Sequence, residues 1–271
     1  MPAVSVVWPP TNQSATKRLS VDYPASAVDR VVFPATAQAL TVSEPVSTGC
    51  GALDELLGGG FERGTVTQLY GPPAAGKTNI ALSAAVNVAA GGGKALYIDT
   101  EGLSVDRFRQ LIAAASDDPI EKVAARLIIS DAVDFDEQQE AVRDAADFAE
   151  RVELIVLDSA TGFYRLQRGE DAEGGDSLRA VARQITQLLS LARKHDIAVV
   201  ITNQVFTDPD TDRTRALGGH TLEHWTGVVV RLDRFRGGNR RATLEKHRSK
   251  AAGEKTTFKI TDSGLVDGET V

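Results

Sequence analysis

Gly71-Pro72-Pro73-Ala74-Ala75-Gly76-Lys77-Thr78 decides the fold. It lies between the alternating stretch Thr65-Val66-Thr67-Gln68-Leu69-Tyr70 and a run from Asn79 to Val88 whose apolar residues recur at helical spacing. The flanks read as strand and helix, so the octapeptide is the turn joining them, the setting in which Gly-x-x-x-x-Gly-Lys-Thr binds phosphate. A triphosphate needs several backbone N–H groups converging on one concavity at a helix N-terminus, where side chains would obstruct it. Gly71 and Gly76 meet that need, with Pro72, Pro73, Ala74 and Ala75 forming the loop between them. Lys77 supplies a point charge for the β and γ phosphates, the Thr78 hydroxyl is a ligand for Mg²⁺ bound to them, and Asn79 continues the helix behind. A fortuitous glycine turn is the competing reading, and the flanking pattern argues against it. ATP and Mg²⁺ are the expected cofactors.

Outward from the loop the chain keeps a strand-helix rhythm. Upstream, Leu53, Leu56 and Leu57 predict a short helix ended by Gly58-Gly59-Gly60. Downstream, Gly91-Gly92-Gly93 turns into a strand over 94–99, and Val105, Phe108, Leu111 and Ile112 share a helix face. Leu127-Ile128-Ile129 reads as a strand, Asp134 with Glu137 as a capping box for a helix running to about Glu150, and Leu154-Ile155-Val156-Leu157 as another strand. Leu178, Val181, Ile185, Leu188, Leu189 and Ala192 trace an amphipathic helix before the strand Ile197–Ile201. Near-continuous aliphatic strands alternating with helices predict an α/β fold with a mostly parallel central sheet buried on both faces. Past Gly219 the pattern reads as strands without helices, 227–233, 240–247 and 256–260, an antiparallel hairpin extension.

Three side chains at predicted strand ends complete the candidate site. Asp158 ends an aliphatic strand, from where a carboxylate reaches the Mg²⁺ shell beside Thr78. An isolated Asp there is usually a cap or turn residue, but a phosphate loop upstream reverses those odds. Glu101, in Asp99-Thr100-Glu101-Gly102, is placed to polarise the water attacking the γ-phosphate, and a capping role for the next helix fits the pattern equally well. Gln204 ends the strand after Ile201 and is placed to report the γ-phosphate. It precedes a polar, glycine-bearing segment, 206–223, with Arg213 and Arg215; a similar segment, 163–176, holds Arg165 and Arg168. Both are long enough to suspect function, although arginines on loops are most often simply solvated.

Composition bounds the rest. The 271 residues, 42% hydrophobic with a mean hydropathy of −0.15, suffice for one globular domain. A single cysteine, Cys50, excludes an internal disulfide or a cysteine-based zinc site and reads as a small buried residue. No run approaches 18 apolar residues and the first ten lack a basic region, so a soluble, cytoplasmic protein is expected. Residues 231–259 carry ten Lys/Arg against three Asp/Glu, +7, which leaves −14 for the rest of a chain of net charge −7. Such an acidic shell fits a high-salt cytoplasm or serves solubility alone, and in molar salt only direct contacts to DNA phosphates would survive. Residues 1–42 hold five of the ten prolines and no helical period. They read as a disordered arm or as a translation start assigned too far upstream, with the ordered core over 43–271.

Taken together, Ser47-Thr48-Gly49 with Leu53-Asp54, the phosphate loop, Ile98–Gly102, Leu157-Asp158-Ser159 and Ile201-Thr202-Asn203-Gln204-Val205 resemble the archaeal and eukaryotic RecA-like recombinases over residues 43–260. Within that group the chain is most similar to the short archaeal paralogues of RadA, because the core starts without a helix-hairpin-helix domain; Leu217–Trp225 and Lys246-His247-Arg248 strengthen this. The resemblance implies a RecA-type core with the Gln204 strand between the phosphate-loop and Asp158 strands, and two mobile loops facing DNA. It makes Glu101 the water-polarising carboxylate and His224 a second γ-phosphate sensor. Lys246 and Arg248 become cations offered to a neighbouring protomer's ATP, although a basic hairpin equally fits DNA-backbone binding. It also sets Arg107 near adenine.

One departure concerns assembly. RadA-type recombinases polymerise through Phe-x-x-Ala, whereas here Phe33 is followed three residues later by Thr36, and the second DNA loop is short. The implied function is an ATP- and DNA-binding accessory to RadA in recombination and repair, a sensor of DNA damage, acting on single-stranded or branched DNA. Very weak ATPase, no strand exchange of its own and a homo-oligomeric form go with it. The rivals are a DNA-stimulated recombinase, a KaiC-like signalling ATPase acting on proteins, and a nucleotide-dependent binding module in which hydrolysis is incidental.

Overall fold

The computed structural model describes residues 43–163, 175–208, 213–235 and 238–268. The expected arm, 1–42, and Arg165 and Arg168 lie outside the described residues. Short helix α1 (Gly51–Leu57) ends as its glycines predict: Gly58 turns left-handed, φ +86°, and Gly58 and Gly59 donate to the carbonyls of Glu55 and Asp54. Then come β1 (Val66–Tyr70), the phosphate loop, α2 (Lys77–Ala90), β2 (Ala95–Asp99), α3 (Val105–Ala115), α4 (Ile120–Ala124), β3 (Leu127–Asp131), α5 (Phe135–Phe148) and β4 (Leu154–Asp158). After α6 (Gly175–His195) and β5 (Ala198–Asn203) follow the hairpin β6 (Val205–Asp208) and β7 (Arg213–Ala216), α7 (Gly219–Trp225), β8 (Val228–Arg234), β9 (Asn239–Lys246), β10 (Lys255–Thr261) and β11 (Gly264–Asp267).

Nine strands form one sheet in the order β11-β10-β9-β8-β1-β5-β4-β2-β3. From β8 to β3 neighbours run parallel, and from β8 to β11 antiparallel. Every residue of β1, β2, β4 and β5 is buried; the mainly aliphatic runs of β2, β4 and β5 suit strands covered on both faces, whereas the alternating β1 buries Thr67 and Gln68 as well. One core layer joins α1, α2 and α3 to the sheet through Leu53, Ile80 and Leu111; the other joins α5, α6 and α7 through Val142, Ile185 and Leu222. The predicted cap opens α5: Glu137 N–H donates to Asp134 Oδ1 at 2.8 Å, while the Glu137 carboxylate reaches back one residue beyond the cap, accepting from Val133 N–H at 2.9 Å rather than from Asp134. The β5 strand lies between β1 and β4, as the resemblance implied.

Two expectations change. The stretch 227–233 is not purely part of an antiparallel extension, because β8 pairs parallel with β1 and only its other edge is antiparallel. The described part of 206–223 is not all loop, because it holds the paired strands β6 and β7 and most of α7. No described helix is long and apolar enough to cross a membrane.

Candidate nucleotide-binding site

The phosphate loop leaves β1 at the carboxyl rim of the parallel strands, and both its glycines have a packing reason beyond the ligand. A Cβ at Gly71 would sit 2.3 Å from the Leu232 carbonyl oxygen of β8. Gly76, the residue before α2, has φ +106°, and a Cβ there would meet Ile260 Cδ1 at 3.0 Å. Lys77 folds back across the loop, donating to the Gly71 carbonyl at 2.9 Å and the Pro72 carbonyl at 3.1 Å. Burial pushes its ammonium pKa down, while the carboxylates of Glu101 and Asp158 oppose that shift. Asn79 accepts from Arg107 Nε at 2.8 Å, and Arg107 also donates to the Thr261 carbonyl at 2.7 Å, closing one side of the loop. Pro72, Pro73, Ala74 and Ala75 form the loop's wall, with Ala74 left-handed at φ +59°.

Asp158 is buried at the end of β4. Tyr97 donates to its Oδ2 at 2.6 Å and Thr202 to its Oδ1, and the Thr78 hydroxyl also bonds it. Burial raises its pKa, and these three donors hold it down. Thr78 and Asp158, already in contact, offer oxygen donors of the kind Mg²⁺ prefers. No group of three or more His, Cys, Asp and Glu forms a cage among the described residues. The residues therefore fit an ion held jointly with nucleotide phosphates rather than by protein alone.

Glu101 stands out from the rim because Asp99, itself buried, organises the turn beneath it. The N–H groups of Glu101 and Gly102 donate to Asp99 Oδ1, each at 3.1 Å, and that of Leu103 to Oδ2 at 2.6 Å. Gln204 Nε2 donates to Glu101 Oε1 at 3.0 Å, so the residues expected to sense and to activate are in direct contact. Behind Gln204, Thr161 donates to Asn203 Oδ1 at 2.7 Å and Asn203 Nδ2 to the Leu217 carbonyl at 2.8 Å; Leu217 N–H returns to the Gln204 carbonyl at 2.9 Å. The β5 end is thereby tied to the base of the β6–β7 hairpin, on which Arg215 is exposed. Arg213 begins β7, and its side chain lies outside the described residues. Beside Glu101 an apolar groove of about 690 Å³, lined by Leu103, Val105, Phe108, Ile129, Val133 and Phe163 among others, carries no cluster of phosphate donors among the described residues.

His224, Lys246 and Arg248 are brought together with one another but not with the phosphate loop of their own chain. Lys246 donates to the Glu223 and Thr226 carbonyls at 2.6 and 2.8 Å, His224 packs edge-on against Trp225 at 4.9 Å, and Arg248 pairs with Glu62 at 2.6 Å. Gly227 N–H bonds the carbonyl of Val66, the first residue of β1, so this group sits a strand length, roughly 13 Å, from the loop. Sequence reading missed Tyr97, Asp99 and Asn203. The run Asp99-Thr100-Glu101-Gly102 did hold a signal for Asp99, since an Asp before a glycine-bearing turn commonly accepts from backbone N–H groups two residues on.

Comparison with known proteins fits this geometry. Residues 41–268 match the family model described as Rad51. The chain is 71% identical over 220 residues to the DNA repair and recombination protein RadB of Halobacterium salinarum, covering 80% of this chain and 93% of that protein. It is 42% identical over 226 residues to the protein of that name from Methanococcoides burtonii, covering 83% and 99%. A crystal structure of the RadB recombinase superposes with a TM-score of 0.72 at 36% identity, covering 83% of this chain and all of the other. With its nucleotide loop, its strand order and these matches, the chain belongs to the Rad51 family of RecA-like proteins.

Proposed function

We propose that this protein binds ATP with Mg²⁺ on residues 71–79 and binds DNA, and that it acts as an accessory to the recombinase RadA in recombinational repair, with slow hydrolysis and no strand exchange of its own. The observation that carries this reading is the Gln204–Glu101 contact, with the backbone of Gln204 linked to Leu217. When bound, Mg²⁺ neutralises charge on the β and γ phosphates and ATP supplies the phosphoryl group. Lys77 exchanges two backbone carbonyls for phosphate oxygens. Thr78 and Asp158 hold the metal side, and hydroxyl donors from Tyr97 and Thr202 favour the carboxylate form of Asp158 against the burial that raises its pKa.

Glu101 orients water only when Gln204 releases it. Gln204 therefore gates the attacking site and passes the nucleotide state to the β6–β7 segment. A sensor that occupies the activating carboxylate supports slow turnover. Names given to the relatives, DNA repair and recombination protein RadB, support a place in DNA repair and recombination.

His224, Lys246 and Arg248 act on this reading toward a second protomer's nucleotide, in a homo-oligomer or in a mixed assembly with RadA. The test is sedimentation with single-stranded DNA and RadA, with and without ATP, for wild type and Lys77→Ala. Lys77→Ala should weaken ATP binding about 100-fold by titration calorimetry, the scale of a lost charge-assisted contact. It should also abolish the ATP-dependent change in sedimentation. Identical assembly of the two proteins would overturn the nucleotide switch.

A further inference from the structure

We propose that Tyr70 is a positioning residue, seating the base of the β6–β7 hairpin and the Glu245–Lys246 end of β9 on the strand that leads into the phosphate loop. The inference rests on the nucleotide-switch reading above and deepens it, giving loop and hairpin a second connection besides Gln204. Tyr70 is the last residue of β1, directly before Gly71, and its backbone is fixed from both sides, opposite Asn203 of β5 and Arg231 of β8.

The other apolar residues of β1 join the two main core layers, Val66 one and Leu69 the other. The Tyr70 ring is instead buried in a third, small cluster with Ala216, Val229 and the half-buried Val205. Val205 and Ala216 face each other in the ladder as the first pair of the β6–β7 hairpin. Neighbouring residues of a strand point to opposite faces, so the hairpin base is held on two sides. Phe206 and Leu217 pack into the layer of α6 and α7, while Val205 and Ala216 rest on Tyr70. The second side is therefore carried by the residue from which the phosphate loop departs.

The hydroxyl has a separate task. A buried phenol needs a hydrogen-bond partner, and Tyr70 finds one by reaching across β8 and donating to Glu245 Oε2 of β9 at 2.5 Å. Arg231, opposite Tyr70 in the register, lies 3.5 Å from the other oxygen of the same carboxylate. Burial and the bond to Glu245 push the phenol pKa up, so the hydroxyl keeps its proton and remains the donor. Glu245 precedes Lys246, whose ammonium meets the Glu223 and Thr226 carbonyls and which is directed, on the reading above, at a second protomer's nucleotide. The ring thus places the hairpin of its own chain, and the hydroxyl places a cation offered to another.

The experiment is hydrogen exchange by mass spectrometry on the full chain, with and without ATP and Mg²⁺, for wild type, Tyr70→Phe and Tyr70→Leu. Calorimetry gives the ATP affinity of each, and circular dichroism shows that each is folded. In wild type, ATP should change exchange over 205–208 and 213–217 about tenfold. Tyr70→Leu, which leaves a gap under Val205 and Ala216, should abolish that change while ATP affinity stays within about twofold. Tyr70→Phe should keep the hairpin response and speed exchange at Glu245 and Lys246 about tenfold, the scale of one lost hydrogen bond to a carboxylate. If Tyr70→Leu does not fold, Val205→Ala removes the same contact from the hairpin side and takes its place. A folded variant without the ring contact whose hairpin answers ATP as wild type does would overturn the role of the ring and leave the nucleotide switch intact. Loss of ATP binding in folded Tyr70→Leu would put Tyr70 in the nucleotide site and overturn its role as a seat. Loss of the hairpin response in Tyr70→Phe, or unchanged exchange at Glu245 and Lys246 there, would overturn the division between ring and hydroxyl. A wild-type chain that binds ATP with no change at the hairpin would overturn the switch itself, and the seat with it.

Discussion

The carboxyl rim of the parallel strands and the antiparallel flank both carry candidate functional side chains, but they are assembled in different ways. At the rim, β1, β5, β4 and β2 end side by side, so Lys77, Gln204, Asp158 and Glu101 converge because adjacent parallel strands stop together. On the flank, placement depends on an irregularity. Val229 faces Lys246 while Val230 faces Leu244, which leaves Glu245 as the extra residue of a bulge. That extra residue lets Glu245 accept from the Tyr70 hydroxyl at 2.5 Å while Lys246 turns to the carbonyls at the end of α7. Rim chemistry follows from topology alone, whereas flank chemistry follows from one inserted residue and a seven-residue helix.

If the two regions are joined mechanically, the largest effect belongs where they touch. Gly71→Ala drives a Cβ into the Leu232 carbonyl, a backbone atom that cannot move aside without shifting β8. We expect a loss on the order of 3 kcal/mol in stability, read as a lower urea midpoint, with nucleotide binding lost alongside it. Gly92→Ala, which meets no atom within 4 Å, should cost about 1 kcal/mol from its left-handed backbone alone. Equal effects would mean that the loop and β8 are not coupled by packing.

A middle-sized effect isolates the rim. Burial raises the Asp158 pKa above its unfolded value near 3.8, so the folded state holds the proton more tightly than the unfolded one. Wild-type stability from this group therefore falls as pH rises from about 4 through the raised pKa, and levels off above it. Asp158→Asn should melt higher than wild type at pH 8, with the gain vanishing near pH 4, while Mg²⁺-dependent ATP binding is lost. A variant that melts lower at pH 8 would show that the carboxylate stabilises the fold and is not a charge retained for the metal.

The same contrast explains how much was legible in the sequence. The phosphate loop, the buried strands, the α5 cap and the strand-end positions of Asp158, Glu101 and Gln204 could be read, because local pattern and parallel topology determine them. Helix α7 was missed since its seven residues bury only Leu222 and show no sustained period. The parallel edge of β8 was missed because β1, its partner, lies some 160 residues earlier and leaves no local trace. Tyr97 looked like one more core residue of β2, and only the structure brings its hydroxyl to Asp158. The reason for Gly71 was half legible: the phosphate accounts for a glycine there, but the Leu232 carbonyl is a second reason that only packing discloses.

The smallest effect tests the flank. Within one chain Lys246 does no more than meet two carbonyls, those of Glu223 at the end of α7 and of Thr226 just after it, from an exposed position. Such a contact is worth about 0.5–1 kcal/mol, so Lys246→Ala should lower the melting temperature of the isolated protein by only a few degrees and leave its ATP affinity within twofold. A residue kept for its own fold would show nothing more. In a mixture where Lys246→Ala protomers are combined with wild type, a fall in nucleotide turnover far beyond that small stability loss would mean that the lysine reaches a phosphate in another chain. An additive response, proportional to the wild-type fraction, would return Lys246 to the role of a helix cap and leave the rim as the whole of the nucleotide site.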